Sequence, residues 1–298
     1  MNEALAATAC RRLLGAQVIA VEPIAAATSL RVHRVALQDG RRVILKLYFA
    51  RAGSAEAERR ALTCLAAHTD VLTPTILASG AVQDGRVEAL VLDDLGPSNL
   101  GERVAAGYCS RHDALTAVGS LLARIHSLPL DCGPGNPSRL RPRVLAETLL
   151  SHCPSGLGVI AAEVVSRAKE AITQPRQQIW CHGDLHPANI IPVGQQFDAA
   201  ALHVVDLEQA ACSVPEYDVA QSLVTSDALD AAGQSALLSG YSLPLDYELI
   251  TLMIRFHALR GWAYAATTER RDVDLWAQRL TLAFQLTDQP TCKETAQP

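Results

Sequence analysis

The apolar residues of this chain follow two different periods, and the change between them falls at Gly96-Pro97. As far as Asp93, short runs alternate between apolar and polar residues, which is the pattern of β-strands. Beyond that point, apolar residues recur at helical spacing. A chain of 298 residues, 49% of them apolar, also lies near the length at which one core divides into two. The sequence therefore predicts an α+β protein with two lobes, the first built on a sheet and the second mainly helical.

The first lobe is predicted to contain two β-hairpins with a helix between them. The runs "VHRVALQDGRRVILKLYF" and "ILASGAVQDGRVEALVL" turn at Asp39-Gly40 and Asp84-Gly85, dipeptides that tolerate the positive φ angles of a tight turn. Between them, "SAEAERRALTCLAAH" begins with Ser54, a good helix N-cap. Hairpins make the predicted sheet small and antiparallel. Lys46 lies in the middle of the second strand, on the face opposite Val43 and its apolar neighbours.

The second lobe is predicted to be larger and mostly helical. Ser110 followed by Asp113 resembles a capping box, and the segments "LDYELITLMIRFHALRGWAYAAT" and "DVDLWAQRLTLAFQL" are apolar at helical period. The extended runs "NIIPV" and "ALHVVD" predict a hairpin within this lobe. The predicted boundaries are residues 1–92 for the N-terminal lobe, 93–97 for a hinge and 98–298 for the C-terminal lobe.

Charge, hydropathy and cysteine spacing argue against several classes of protein. A net charge of -5 without a long Lys/Arg run does not suit nucleic acid or an anionic membrane. There is no uncharged apolar run long enough to span a bilayer, and the first residues lack the order of a signal peptide. The eight cysteines include no Cys-x-x-Cys pair, so a disulfide framework or zinc knuckle is not expected. We expect a cytoplasmic protein that is a monomer or a weak dimer.

The stretch "WCHGDLHPANII", Trp180 to Ile191, has the composition of a phosphoryl-transfer site. Asp184 can accept a proton from a substrate hydroxyl, and Asn189 offers a neutral oxygen to a metal. Asp206, at the end of the apolar strand "ALHVV", offers a carboxylate, and Mg²⁺ binds oxygen ligands of both kinds. Lys46 can neutralise nucleotide phosphates if an acid on the following helix holds it in place. That acid is either Glu58 or Glu56.

These residues belong to a longer set that resembles the aminoglycoside phosphotransferase and choline kinase family, whose fold is like that of protein kinases. The matching segments are "VILKLY", "AEAERRALTCL", "LTPTILASG", "VLDDLG", "LLARIHSLP", "CHGDLHPANII", "VVDLEQA" and "PEYDVA", in family order. The resemblance implies an enzyme that transfers the γ-phosphate of ATP or GTP with Mg²⁺. It makes Asp184 the catalytic base, and Asn189 and Asp206 the magnesium ligands. It also pairs Glu58 with Lys46 at the phosphates.

The resemblance also implies two nucleotide-binding segments and one structural acid. The adenine would bind the backbone of the hinge at Leu92, Asp93, Asp94 and Leu95, whose two acids we expect to be exposed. Thr28 and Ser29 would cover the phosphates, although the turn "PIAAATSLRV" lacks the glycine that relatives often have. Asp218 would brace the catalytic loop without reacting. The run "CSVPEYD" departs from the Gly-Asp-Pro of many relatives, so the loop after Asp206 can differ in shape.

Other interpretations of the same residues remain open. His182 and His186 flank Asp184 and could bind zinc, but Pro187 disfavours a continuous helix, so loop bracing is the favoured role for His182. Aromatic residues near the C-terminus could line an acceptor pocket, but aromatics at helical spacing are more often core. These are Tyr241, Tyr247, Trp262 and Tyr264.

The acceptor is expected to be a small hydroxyl compound. Protein kinases need a long segment after the metal-binding acid to dock a peptide, whereas here Asp218 follows Asp206 by only twelve residues. An aminoglycoside or related antibiotic is favoured over choline, ethanolamine, a sugar or an amino-alcohol. C-terminal acids could attract such a polycation: Asp227, Asp230, Glu248, Glu269, Asp272 and Asp274. A pseudokinase that only binds nucleotide is the remaining alternative, and the complete set of reacting groups speaks against it.

Overall fold

The computed structural model describes most of the chain. The described residues are 2–24, 30–49, 54–68, 70–83, 85–130, 158–173, 178–194, 197–268 and 272–286. They form two compact units, one comprising Met1–Ser98 with Ile191–Glu208, the other Asn99–Ile190 with Gln209–Pro298. Within the described ranges, no helix combines the length and the apolarity needed to cross a membrane.

The first unit is built on a five-stranded antiparallel sheet. Its elements are α1 (Asn2–Leu14), β1 (Val18–Pro23), β2 (Leu30–Leu37), β3 (Arg42–Tyr48), α2 (Ser54–His68), β4 (Ile76–Val82) and β5 (Val87–Asp93). The strand order is β1-β2-β3-β5-β4, so both predicted hairpins are confirmed and β1 adds a further strand beside β2. Helix α1 and alternate residues of the strands form a closed core, in which Val43, Leu45 and Leu47 of β3 are fully buried. The opposite face of β3 is thereby left for Lys46.

The hairpin predicted from "NIIPV" and "ALHVVD" is present as β7 (Ile190–Pro192) and β8 (Leu202–Val204). The sequence predicted this hairpin within the helical lobe, but residues 191–208 group with the sheet-bearing unit. The main-chain N–H of Val204 donates to the carbonyl of Leu72 at 2.8 Å, and Leu72 also forms a parallel bridge with His203. This attachment fixes the segment that carries Asp206 within the first unit.

The second unit is mainly helical, as predicted. Its helices are α3 (Leu100–Ala105), α4 (Arg111–His126), α5 (Gly158–Thr173), α6 (Pro215–Thr225), α7 (Ala231–Gly240), α8 (Tyr247–Thr267) and α9 (Val273–Gln285). Two short strands, β6 (Ile179–Cys181) and β9 (Ala211–Ser213), pair antiparallel. Helix α8 packs against α5, α6 and α9, and α4 packs against α7. The α4–α7 approach needs glycine, because a Cβ on Gly119 or Gly240 would lie 2.0 Å from a carbonyl oxygen of the other helix.

The start of α4 follows the capping signal that the sequence predicted. Ser110 Oγ accepts a hydrogen bond from the Asp113 N–H at 3.0 Å, which starts α4. Asp246 caps α8 in the same way, through the Leu249 N–H at 3.1 Å. An α+β chain with an antiparallel sheet followed by a helical unit is therefore confirmed.

Candidate active site

In the first unit, Lys46 lies between two carboxylates. Its Nζ is 2.6 Å from Glu58 Oε1 and 2.7 Å from Asp206 Oδ1. The Glu58 side chain is fully buried, whereas that of Asp206 is 32% exposed. Burial acts to lower the pKa of Lys46, but the charges of Asp206 and Glu58 outweigh it and raise the pKa above its ordinary value. The ammonium therefore stays charged. It contacts one fully buried carboxylate, that of Glu58, and one partly exposed carboxylate, that of Asp206.

The helix period decides which of the two candidate acids reaches Lys46. Residues two apart on an α-helix point about 200° apart, so Glu56 and Glu58 cannot share a face. Glu58 faces the sheet, while Glu56 pairs with Arg59 at 2.7 Å on the exposed side of α2. Of the two alternatives, the structure therefore places Glu58 at Lys46.

Tyr48 is a further member of this cluster. It lies two residues after Lys46 on β3, hence on the same face, and its hydroxyl donates to Glu58 Oε2. Burial, and next the charge of Glu58, raise the pKa of Tyr48 well above its ordinary value, so the hydroxyl stays protonated. Both oxygens of Glu58 are thus occupied, one by Lys46 and one by Tyr48. The strand period had placed Tyr48 on this face, but its role was not predicted.

Asp206 occupies a strained backbone position. Its φ is +65°, in the left-handed region that few residues other than glycine adopt, and aspartate is among those that tolerate it best. The turn directly after it, Leu207–Gln209, is a single 3₁₀ turn. This conformation turns the chain sharply at the end of the hairpin that carries Asp206. Backbone strain of this kind concentrates at functional sites.

The predicted hinge begins at the end of β5 and is held by side chains of the first unit. Leu92 is buried in the sheet, paired with Ile44 of β3. Asp93 Oδ1 accepts from the Thr75 N–H at 2.6 Å, and the Asp93 N–H donates to the Thr75 carbonyl at 3.1 Å. Asp93 is therefore engaged by the neighbouring chain segment. Leu95 is half-buried.

Asp94 is the centre of an arginine clamp, and the expectation that it is exposed is wrong. Its side chain is only 3% exposed because Arg34 Nε donates to Oδ2 at 2.9 Å and Arg42 Nε lies 3.6 Å from the same oxygen. Arg34 Nη2 also donates to the carbonyl of Gly96 at 2.8 Å. The Gly96 N–H in turn donates to Asp94 Oδ1 at 3.2 Å. Arg34 thereby fixes both the side chain and the backbone of residues 94–96.

In the second unit, Asp184 and Asn189 share one tightly bonded loop. Asn189 Nδ2 donates to the Asp184 carbonyl at 2.9 Å, and the Asn189 N–H donates to the His186 carbonyl at 2.8 Å. Because a carbonyl can only accept, the amide nitrogen of Asn189 faces Asp184 and its Oδ1 points elsewhere. The loop is therefore closed by Asn189, whose oxygen remains the atom suited to a metal.

The histidines of this loop serve its backbone. His182 is fully buried, and its Nδ1 accepts from the Asp184 N–H at 3.2 Å. His186 Nδ1 accepts from the Ala188 N–H at 3.3 Å. Among the residues that the structure describes, neither histidine belongs to a cluster of metal-ligating His, Cys, Asp or Glu side chains. The loop-bracing role favoured from the sequence agrees with this geometry.

Asp218 forms hydrogen bonds with the backbone at the start of the same loop. Its carboxylate accepts from the His182 N–H at 2.7 Å and from the Gly183 N–H at 2.9 Å. Gly183 has a φ of +83°, and a Cβ there would lie 2.3 Å from the Gln209 carbonyl oxygen, so only glycine fits. These contacts match the structural role that the resemblance implied for Asp218.

A buried chain of hydrogen bonds continues behind Asp218. His126 Nε2 lies 3.1 Å from Asp218 Oδ2, and His126 Nδ1 lies 2.7 Å from the Tyr241 hydroxyl. Burial acts to raise the pKa of Asp218, but the hydrogen bond and charge of His126, together with His182 and the Gly183 N–H, lower it overall. Tyr241 is thus an interior residue, and the role of His126 was not predicted.

Gln221 contacts the predicted base directly. It lies on α6, is 3% exposed, and its Nε2 donates to Asp184 Oδ1 at 3.1 Å. Asp184 itself is half-buried, and within the described ranges no protein donor bonds its Oδ2. The geometry leaves one carboxylate oxygen held and the other available. Gln221 was not predicted, since nothing in its own segment signals the contact.

For several residues predicted to bind the phosphates or the acceptor, the structure shows no role at the site. Thr28, Ser29 and Glu269 lie outside the described residues. Asp227 pairs with Arg279 at 2.7 Å and Asp230 with Arg111 at 2.6 Å, so these two acids already have cationic partners. Tyr247 and Tyr264 are 42% and 45% exposed, and Trp262 is half-buried. Asp227 and Asp230 also line a small cavity together with Arg279, whereas a role of the aromatic residues in binding the acceptor stays a prediction.

The model of the phosphotransferase enzyme family matches residues 20–252. No curated protein matches the sequence. A GDP complex of wild-type aminoglycoside 2'-phosphotransferase-IIIa is similar in fold, with a TM-score of 0.71 and 15% identity over 95% of this chain and 98% of that one.

Two further solved structures are similar at low identity. The macrolide 2'-phosphotransferase of Brachybacterium faecium has a TM-score of 0.60 and 19% identity, covering 94% of this chain and 97% of its own. The choline kinase of Streptococcus pneumoniae has a TM-score of 0.64 and 16% identity, covering 90% and 92%. At such identities the structures show the fold alone.

The fold is that of the bilobal, protein-kinase-like phosphotransferases, as the resemblance implied. With the family model matching most of its length, the chain belongs to the phosphotransferase enzyme family.

Proposed function

We propose that this protein transfers the γ-phosphate of ATP or GTP to a hydroxyl of a small molecule in a magnesium-dependent reaction. The observation that carries the proposal is the buried Lys46 ammonium held between Glu58 and Asp206. Kinases of this fold require a lysine–glutamate ion pair and a metal-binding aspartate together. A protein that only binds nucleotide would need fewer of these groups.

The nucleotide would be bound mainly by residues of the first unit. Lys46 neutralises phosphate oxygens, and Glu58 keeps the ammonium in place. The backbone of Leu92 to Leu95 receives the base, since the side chains of Asp93 and Asp94 are engaged within the protein. Thr28 and Ser29 are proposed to cover the phosphates, on the sequence alone.

The donor atoms of Asp206 and Asn189 are of the kind that magnesium binds. Asp206 presents a partly exposed carboxylate, and Asn189 presents an amide oxygen whose nitrogen is already committed to Asp184. Mg²⁺ takes one or two such protein oxygens and completes its shell with water and phosphate oxygens. When bound, it supplies neutralisation of the charge that develops on the phosphates.

Asp184 is the proposed general base. Its Oδ2 accepts the proton of the acceptor hydroxyl as that oxygen bonds to the γ-phosphorus. The bond from phosphorus to the β–γ bridging oxygen breaks, and the nucleoside diphosphate leaves with its electron pair. The products are a phosphate monoester and a diphosphate, and the proton leaves Asp184 to solvent. Positioning of the reactants and neutralisation of charge supply the remainder of the rate enhancement.

The short connection between Asp206 and α6 favours a small acceptor. The 3₁₀ turn Leu207–Gln209, β9 and α6 follow one another without a gap. This leaves no long segment to dock a peptide, as protein kinases require. We favour an aminoglycoside or related antibiotic, which would make resistance the biological role and place the enzyme in the cytoplasm beside its nucleotide. Choline, ethanolamine or another small alcohol is the second candidate, because a choline kinase shares the fold and two of the predicted acids are already paired with arginines.

A coupled nucleotide-consumption screen tests this proposal. Purified protein is given ATP or GTP with Mg²⁺ and, separately, aminoglycosides, macrolides, choline, ethanolamine and sugars, and Asp184→Asn serves as the matched variant. We expect one acceptor class to raise consumption above the acceptor-free rate in the wild type only. Binding of nucleotide without consumption by any acceptor or by water would instead establish the pseudokinase alternative.

A further inference from the structure

Gln221 and Asp218 are presented to the catalytic loop by the same helix. They lie three residues apart on α6, which places both side chains on one face. Asp218 bonds the backbone of the loop at His182 and Gly183, while Gln221 bonds the side chain of Asp184. A single rigid element thus fixes both the loop and the carboxylate that it carries.

The orientation of the Gln221 amide is determined by its partner. Nε2 lies 3.1 Å from Asp184 Oδ1, and the reversed amide would place two acceptor oxygens against each other. In the observed orientation, Gln221 Oε1 is buried without a partner in the described residues. A buried amide with an unpaired oxygen is unfavourable for stability, so stability alone does not account for glutamine at this position. Its one well-defined bond is the bond to Asp184.

We propose that Gln221 is a positioning residue that holds the Asp184 carboxylate in one rotamer, with Oδ2 left to accept the substrate proton; this rests on the proposed function. A carboxylate can rotate about its terminal bond over a broad range unless a neighbour fixes it. Small errors in the placement of a catalytic group reduce rate without reducing substrate affinity. Because the amide is uncharged, it orients Asp184 without offering a full opposite charge to the proton acceptor.

Three variants separate orientation from general stability. Gln221→Leu removes the donor, and Gln221→Glu keeps the shape but sets a carboxylate against a carboxylate. Gln234→Leu is the matched control, because Gln234 makes a similar side-chain bond, to the Leu229 carbonyl at 2.7 Å, elsewhere in the same unit. The readouts are kcat and the nucleotide KM with an acceptor found by the screen, and the acceptor-free hydrolysis of ATP or GTP, which needs no identified acceptor.

We expect Gln221→Leu to lower kcat by about 10- to 100-fold, with nucleotide KM unchanged within about twofold. Gln221→Glu should lower kcat further, and Gln234→Leu should leave both constants at the wild-type values. In an Asp184→Asn background, Gln221→Leu should have almost no additional effect on kcat, since the two residues act as one unit. Wild-type kcat in Gln221→Leu, or an equal loss in both backgrounds, would overturn the inference while leaving the proposed function intact.

A spectroscopic measurement covers the case in which the leucine variant does not fold. The side-chain amide resonances of Gln221 in the wild type should shift, and exchange faster with water, when Asp184 is replaced by alanine. Resonances that do not respond to Asp184→Ala would refute the contact itself. Absence of turnover with every acceptor and with water would refute the proposed function, which is a separate outcome.

Discussion

The two units hold their reactive side chains by different means. In the first unit, Lys46 is fixed by full charges, those of Glu58 and Asp206. In the second, Asp184 is held by the neutral amide of Gln221. A group that must remain charged beside phosphates gains from opposite charges, whereas a group that must accept a proton is better oriented by a neutral donor. The difference in surroundings therefore follows the difference in proposed role.

Replacing Asp218 by asparagine should give the largest loss of stability. The buried carboxylate accepts from two backbone N–H groups and from His126, and asparagine can accept on one atom only. Each buried donor left without its acceptor costs about 1–3 kcal/mol. Chemical denaturation of Asp218→Asn should show a loss of this size together with loss of turnover. A variant as stable as the wild type would show that the loop is held by other contacts.

In the first unit, the corresponding change is Tyr48→Phe. It leaves Glu58 Oε2 buried without its donor, which should cost about 1–3 kcal/mol in the free energy of unfolding. Because Glu58 is then less well fixed against Lys46, the nucleotide KM should also rise. Steady-state kinetics at varied nucleotide would measure this. An effect confined to kcat would mean that Tyr48 does not act through nucleotide binding.

The arginine clamp at Asp94 should give a smaller effect. Arg34→Leu removes two hydrogen bonds that fix residues 94–96, so nucleotide affinity should fall by about 3- to 10-fold, the value of roughly one net hydrogen bond. Arg41→Leu is the control, because its pair with Asp39 is largely exposed and should contribute nothing measurable to affinity. Equal affinities for the two variants would argue against nucleotide binding at this segment.

The smallest expected effect is the change in the free energy of unfolding with pH near neutrality. Burial lowers the pKa of His257 well below its usual range, and burial followed by the charge of Arg31 lowers that of His33 in the other unit. Each histidine is thus neutral when folded but binds a proton on unfolding below about pH 6.5, so the free energy of unfolding falls as the pH falls through this value. Each contributes up to about 1.4 kcal/mol per pH unit.

Histidine variants test that pH dependence. His257→Leu should have a shallower slope of unfolding free energy against pH between neutrality and pH 5 than the wild type. His33→Leu should reduce the slope in the same sense. Slopes equal to that of the wild type in both variants would contradict neutral burial of these rings.

Local periodicity was sufficient to predict much of the fold and the position of Lys46 in the first unit. The strand period placed Lys46 opposite the apolar face of β3, and turn dipeptides located the hairpins. The choice between Glu56 and Glu58 stayed open in the residues themselves, and only the family resemblance favoured Glu58. The positive φ of Asp206 had no signal in the residues around it.

The residues that were missed make contacts over long sequence distances. Gln221 is 37 residues from Asp184, and His126 is 92 residues from Asp218. The burial of Asp94 was missed because its partner Arg34 lies 60 residues earlier in the sequence, on another strand. Such pairs depend on tertiary packing, which a single sequence does not specify locally.

Calorimetric titration with nucleotide, with and without Mg²⁺, tests the central claim most directly. The wild type, Asp206→Ala and Asp184→Ala would be compared under the same conditions, with turnover measured in parallel. The account predicts that Asp184→Ala binds Mg²⁺-nucleotide like the wild type but loses turnover by at least about 10²-fold. It predicts that Asp206→Ala loses the magnesium-dependent part of the affinity. Unchanged magnesium-dependent binding by Asp206→Ala, together with near-native turnover by Asp184→Ala, would contradict it.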